Sequence, residues 1–287
     1  FMSENKMLVE DSLQRIHSIL DIKPLSNNES KVEIKDNSIE LKDVKFKYEN
    51  SKNNAIDGIS IKIKPNETIA LVGPSGSGKS TLANLISRFY DVDSGEILIG
   101  NVNVKDIEKN MLMNTISFVF QNSKLLKTSI YENVKMAKPE ATKVEVLHAL
   151  HLAQCDDIIK KLPNGIDTVI GTKGVYLSGG EEQRINIARI MLKDSKIVIL
   201  DEATAFADPE NEIQVQKAFE ELSKNKTVIM IAHRLSTIKN VDKIYVLNNG
   251  KIEEEGNHEE LLNKNGLYKE MWDNYQTSIS WKVGENV

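Results

Sequence analysis

Apolar side chains near the start of the chain recur at helical spacing: Leu8, Leu13, Ile16, Ile19 and Leu20. They predict an amphipathic helix over residues 7–22. Pro24 stops it, and residues 26–36 form a polar linker. The period then falls to two. Ile39 and Leu41 alternate with polar neighbours, whereas Val44, Phe46 and Tyr48 alternate on the opposite parity. A one-residue slip turns every later side chain to the other face, so the break near Asp43 predicts a β-bulge, with Tyr48 ending the strand. Ile59, Ile61 and Ile63 keep the alternation up to a turn at Pro65 and Asn66. Together these segments predict a small antiparallel sheet.

The pattern changes at residue 68. Thr68–Val72 is an unbroken apolar run, as in a strand buried on both faces of a parallel sheet. Residues 197–200 and 227–232 repeat that pattern. Leu82, Leu85, Ile86 and Phe89 mark a helix after the first run. Residues 97–100 and 116–120 read as further strands, and residues 129–162 as mainly helical. Asn249-Gly250, inside the apolar stretch 244–252, signals a two-residue hairpin. Amphipathic helices follow around Leu261 and Met271. Buried runs alternating with helices predict an α/β fold with a parallel sheet.

Composition narrows the function. The chain has 287 residues, 40% hydrophobic and 28% charged, which is globular rather than disordered. A net charge of −5 lacks the basic footprint of a nucleic-acid binder, so no nucleic-acid partner is expected. The single cysteine, Cys155, excludes an internal disulfide and a Cys-rich zinc site, and reads as a small apolar residue on a helix. No apolar run approaches the ~20 residues that span a bilayer. Any membrane-spanning part is therefore expected outside this stretch of chain.

The chemistry is concentrated after the first buried strand. Gly73, Pro74, Ser75, Gly76, Ser77, Gly78, Lys79 and Ser80 match G-x-x-x-x-G-K-[ST], between a strand and a helix. Glycines let backbone N–H groups turn inward around phosphate oxygens, and the helix that follows points its positive end at the same anion. Lys79 supplies a charge to the β- and γ-phosphates, and the Ser80 hydroxyl can coordinate Mg²⁺. Asp201 ends the buried run 197–200, where such folds place a carboxylate that holds Mg²⁺ through water. Glu202 follows and can polarise an attacking water. These residues predict a nucleoside triphosphatase.

Leu177, Ser178, Gly179, Gly180 and Glu181 lie between the Gly-rich loop and Asp201. In this order they resemble the signature of ATP-binding cassette ATPases: a serine hydroxyl, two glycine N–H groups and a helix N-terminus, forming a second anion site. The resemblance runs from about Ile39 to Tyr275. It implies a P-loop core, an N-terminal antiparallel β subdomain and an inserted helical subdomain at about 122–190. It also implies that Ser178, Gly179, Gly180 and Glu181 cap the γ-phosphate on a partner cassette, so that ATP closes a head-to-tail dimer. Tyr48 corresponds to the aromatic that stacks on adenine, and Thr81 joins the nucleotide-binding set. Gln121 corresponds to the glutamine that touches Mg²⁺, His233 to the histidine that contacts the γ-phosphate, and Asp208 to the aspartate of the dimer loop. His258 reads as structural, and His17, His148 and His151 receive no role.

Gln121 with Leu125 and Leu126, the stretch 129–133, and the stretch 232–237 resemble exporter-type cassettes in particular. Residues 12–16 and 19–21 resemble the connection from the last membrane helix. The implied organisation is a linker helix and tail over 1–36, an ATPase domain over 37–275, and a C-terminal tail over 276–287. The implied function is an ATP- and Mg²⁺-dependent motor at the cytoplasmic face of a membrane. Its partners would be a second cassette and the transmembrane domain of the full-length chain. A regulatory cassette of a heterodimeric transporter and a non-transport ATPase of the same family are the alternatives. Thr172 stands where the family often has Glu, and Ala205-Phe206-Ala207 where Ser-Ala-Leu is common. The fifth signature position is Glu181 where Gln is also common, which removes an amide donor.

Overall fold

The computed structural model describes residues 2–21, 24–27, 32–49, 51–119, 124–171, 175–201, 209–232 and 235–284. Two sheets organise them. The first is antiparallel, with β1 (Ile39–Phe46) between β2 (Ile56–Ile63) and β4 (Ser94–Ile99), and the short β5 (Val102–Asn103) on the outer edge. The anticipated bulge is present: the register passes from Leu41 opposite Ile61 to Val44 opposite Ile59, and Asp43 has φ +44°. The pleat flips there, which keeps Leu41, Val44 and Phe46 all buried. Tyr48 is a correction. The strand stops at Phe46, and Tyr48 lies two residues beyond it.

The second sheet holds β3 (Thr68–Val72), β6 (Ile116–Val119), β7 (Ile197–Asp201), β8 (Thr227–Ile231), β9 (Lys243–Asn248) and β10 (Lys251–Gly256). Its order is β10-β9-β3-β8-β7-β6, parallel except for the terminal hairpin β9–β10. Asn249 and Gly250 turn that hairpin with φ +47° and +75°, as a mirror-image two-residue turn requires. Strand β3 pairs on both sides, so it is apolar along both faces and ends in the middle of the sheet.

Helices cover the parallel sheet. The helix after β3, α2 (Lys79–Ile86), ends three residues short of Phe89. The helix α3 (Lys109–Thr115) and strand β5 were not anticipated from periodicity. The helical subdomain contains α4 (Ile130–Lys135), α5 (Lys143–Leu152), α6 (Asp156–Lys161) and α7 (Gly179–Lys193). Val134, Val146, Leu150 and Ile158 form its core with Ile185 and Ala188 of α7 and Val215 and Leu222 of α8 (Pro209–Ser223). Cys155 is buried just before α6, and burial pushes its thiol up to about 12.

Two terminal regions attach differently. The first helix, α1 (Met2–Leu20), exposes its apolar residues Leu8, Leu13, Ile16 and Ile19. The linker after it is fastened to the cassette by Arg88, a buried arginine with φ +54° just past the end of α2. Its Nη2 donates to the Ser26 carbonyl at 2.7 Å, and its Nε to Asp91 at 3.0 Å. At the other end, α9 (His258–Asn263) and α10 (Leu267–Gly284) pack on Ala70, Val72 and Val246. His258 Nδ1 pairs with the Tyr268 hydroxyl at 2.7 Å, in keeping with a structural role. Helix α10 runs across the 275/276 boundary at which a tail was expected.

Candidate nucleotide site

The Gly-rich loop leaves the C-terminal end of β3 and enters α2. Gly73 has φ +146°, and a Cβ there would stand 2.0 Å from the Leu247 carbonyl and 2.9 Å from Ser77 Oγ. Only glycine lets the loop lie this close to β9. The loop is held from below by the hairpin: Gly250 N–H donates to the Ser77 carbonyl at 3.1 Å, and Asp57 N–H to the Gly250 carbonyl at 2.8 Å. The Asn249-Gly250 pair was legible as a turn. That it supports the anion loop was not, because nothing local couples positions so far apart.

Lys79 is 5% exposed. Its Nζ donates to the carbonyls of Gly73 and Pro74, both at 2.9 Å, and to Ser77 Oγ at 3.4 Å. The loop curls around the ammonium, so the charge sits inside the ring of backbone that would receive an anion. A cleft of about 580 Å³ opens over it, walled by Tyr48, Ala55, residues 75–81 and Asp201. The structure thus brings together Tyr48, Ser75, Gly76, Ser77, Gly78, Lys79, Ser80, Thr81 and Asp201, as the sequence suggested. Ala55 is an addition that no sequence signal marked. Tyr48 is half-buried, and its hydroxyl shares a hydrogen bond with Thr81 Oγ1 at 3.1 Å.

A divalent cation fits these residues by donor chemistry. Ser80 and Asp201 line one cleft and both offer hard oxygen donors. Gln121, Glu202, Asp208 and His233 lie outside the described residues, as do Thr172 and residues 205–207.

The expected second anion site falls at the start of α7. Ser178 is its N-cap, and Ser178 Oγ accepts from the Glu181 N–H at 3.3 Å. In return Glu181 Oε2 accepts from the Ser178 N–H at 2.8 Å. This reciprocal capping box gives Glu181 a local task that its place in the signature had hidden. Gly180 is buried against α8, where a Cβ would come within 2.8 Å of Asn211 Cβ. Ser178 and Gly179 remain exposed at the helix N-terminus. The two segments do not share a wall: among the described residues, the cleft above Lys79 includes none of α7.

The sequence model of the ABC transporter family matches residues 56–205 of the 287. The chain is similar to an ATP-dependent lipid A-core flippase from Haemophilus influenzae (strain 86-028NP), at 44% identity over 90% of this chain and 44% of that protein. It is similar to a putative multidrug export ATP-binding/permease protein from Staphylococcus aureus (strain NCTC 8325 / PS 47), at 46% identity over 84% of this chain and 42% of that protein. Among solved structures it resembles a bacterial Atm1-family ABC exporter with ATP bound, with a TM-score of 0.82 and 35% identity over 91% of this chain and 46% of that one. The chain thus spans less than half the length of these relatives. Among its described residues no helix is long and apolar enough to cross a membrane. A family match over more than half its residues, on a fold and an anion loop of the same kind, places the chain in the ABC transporter family.

Proposed function

We propose that this chain is the ATP-binding and hydrolysing motor of an exporter-type transporter. The observation that carries the reading is the cleft over Lys79, in which a glycine loop, a buried ammonium, an aromatic side chain and a carboxylate meet. Adenine stacks on Tyr48 and the phosphates enter the loop. The γ-phosphate draws Lys79 away from the Gly73 and Pro74 carbonyls, so the charge it meets is already in place. Glu202 orients and polarises a water whose oxygen attacks the γ-phosphorus as the bond to the β-phosphate oxygen breaks. His233 holds a γ-phosphate oxygen. Ser80, Gln121 and, through water, Asp201 would hold Mg²⁺, which neutralises charge developing on the phosphate oxygens.

Ser178, Gly179, Gly180 and Glu181 are not among the described residues that line the cleft over Lys79. In this reading they cap the γ-phosphate on a partner cassette, with Asp208 at the dimer loop. ATP closes the head-to-tail pair and hydrolysis reopens it. The relatives named as export ATP-binding/permease proteins support a transmembrane domain in the full-length protein, and hence work at the cytoplasmic face of a membrane.

The test is Mg-ATP hydrolysis as a function of protein concentration, with Glu202→Gln alongside. The rate per molecule should rise with concentration. The variant should bind ATP, form a dimer with it and turn over about 10²- to 10⁴-fold more slowly. Near-normal turnover by the variant removes Glu202 from its role, and a concentration-independent rate removes the shared site.

A further inference from the structure

Tyr90 is 42% exposed and lies outside the cleft wall, in the turn that follows α2. Its ring is 5.5 Å from that of Tyr48 at an interplanar angle of 87°, and 5.4 Å from that of Phe46. Phe46 in turn meets Tyr48 at 4.9 Å and 83°. Tyr48 therefore has two near-perpendicular aromatic neighbours, the favoured geometry for aromatic pairs. It stands beyond the end of β1, off the sheet ladder, where its carbonyl accepts from the Ser51 N–H at 2.9 Å, so its ring is positioned by these side-chain contacts and not by strand pairing.

The turn that carries Tyr90 is itself stitched to this segment. Asp93 N–H donates to the Lys45 carbonyl at 3.0 Å, and Lys47 N–H donates to Asp93 Oδ2 at 2.7 Å. Helix α2 thus grips Tyr48 at two points. Near its N-terminus Thr81 bonds the hydroxyl, and past its C-terminus Tyr90 meets the ring. The same helix begins with Lys79 and Ser80, so the orientation of the aromatic ring is tied to the phosphate-binding groups.

We propose that Tyr90 is a positioning residue: it holds the Tyr48 ring in the orientation that receives the nucleotide base, and it acts on base affinity without touching the phosphates. The proposal rests on the reading of Tyr48 as the base platform.

The test compares binding of ATP, ADP and inorganic triphosphate to the wild-type chain and to Tyr90→Ala, Tyr90→Phe and Tyr48→Ala. Tyr90→Ala should weaken ATP and ADP about three- to tenfold, the range of one aromatic pair. It should leave triphosphate unchanged. Tyr90→Phe keeps the ring and should bind like the wild type. Under turnover, Tyr90→Ala should raise the KM for ATP and leave kcat at saturation intact. Equal weakening of all three ligands would make Tyr90 a fold residue, and no weakening would leave it without a role; either overturns the proposal. If Tyr48→Ala keeps the preference for ATP over triphosphate, the base platform itself fails and the brace with it. If Tyr48→Ala abolishes that preference and Tyr90→Ala leaves ATP affinity at the wild-type value, only the brace fails. Tyr90→Leu, which retains an apolar side chain, gives the same comparison should alanine prevent folding.

Discussion

One methyl group has opposite prospects at two glycines of the anion loop. At Gly73 an added Cβ runs into the Leu247 carbonyl at 2.0 Å, whereas at Gly76, with φ +77°, it meets nothing within 4 Å. Gly76→Ala carries only the strain of a left-handed residue, about 1–2 kcal/mol. Gly73→Ala must move the loop or β9, and belongs with the severe class of single substitutions, above about 4 kcal/mol. Melting curves without nucleotide should therefore drop much further for Gly73→Ala; comparable drops would contradict the packing described. The sequence shows both glycines in one motif but does not rank them. That Lys79 and Ser80 meet in one cleft was legible, because spacing within eight residues sets it. The ring contacts of Tyr90 were not, because Phe46 and Tyr48 lie at and just beyond the end of β1, far from it in sequence.

Glu181 shows the same limit for an element. Read within the signature, it is a substitution that removes an amide donor. Read within α7, it closes a capping box with Ser178. Gln at that position also closes such a box. Glu181→Gln should then leave the melting temperature close to wild type, whereas Glu181→Ala should cost about 1 kcal/mol. Equal losses for both would separate Glu181 from the cap. The pattern S-x-x-E was present in the sequence. The neighbouring glycines pointed to an anion site, and that reading left the cap unseen. Helix limits shifted for a related reason: α2 stops at Ile86, where Ser87 N–H bonds back to the Ala83 carbonyl, and Phe89 instead meets Phe118 at 5.7 Å.

At the scale of the whole molecule, Arg184 joins the helical subdomain to the sheet-packed helices. It is 1% exposed, and its guanidinium reaches Asp157 at 2.8 and 3.1 Å, the Gln154 carbonyl, and Asn211 of α8 at 3.2 Å. Burial pushes the Asp157 carboxyl up, but the hydrogen bonds and charge of Arg184 outweigh it and hold the group below its usual range. A depressed carboxylate contributes stability that is present above its unfolded value, about 3.9, and is lost as pH falls through its lower native value. Asp157→Ala should cost about 1–3 kcal/mol at pH 7, by leaving a buried donor pair unmet. Its deficit relative to wild type should shrink as pH falls below that range, as denaturant titrations at several pH values would show; a constant deficit would remove the charge from the argument. The sequence by itself determined the local chemistry and the class of fold. Period-two and unbroken apolar runs separate the two sheets, and an anion loop after a buried strand needs no knowledge of the rest. Tertiary structure alone decided which distant residues meet: Gly250 beneath Ser77, Ser26 on Arg88, Tyr90 against Tyr48, Asn211 on Arg184. Strand order and crossovers set those meetings, and no local periodicity carries that information, because each side chain's pattern reports only whether it is buried and not what it is buried against.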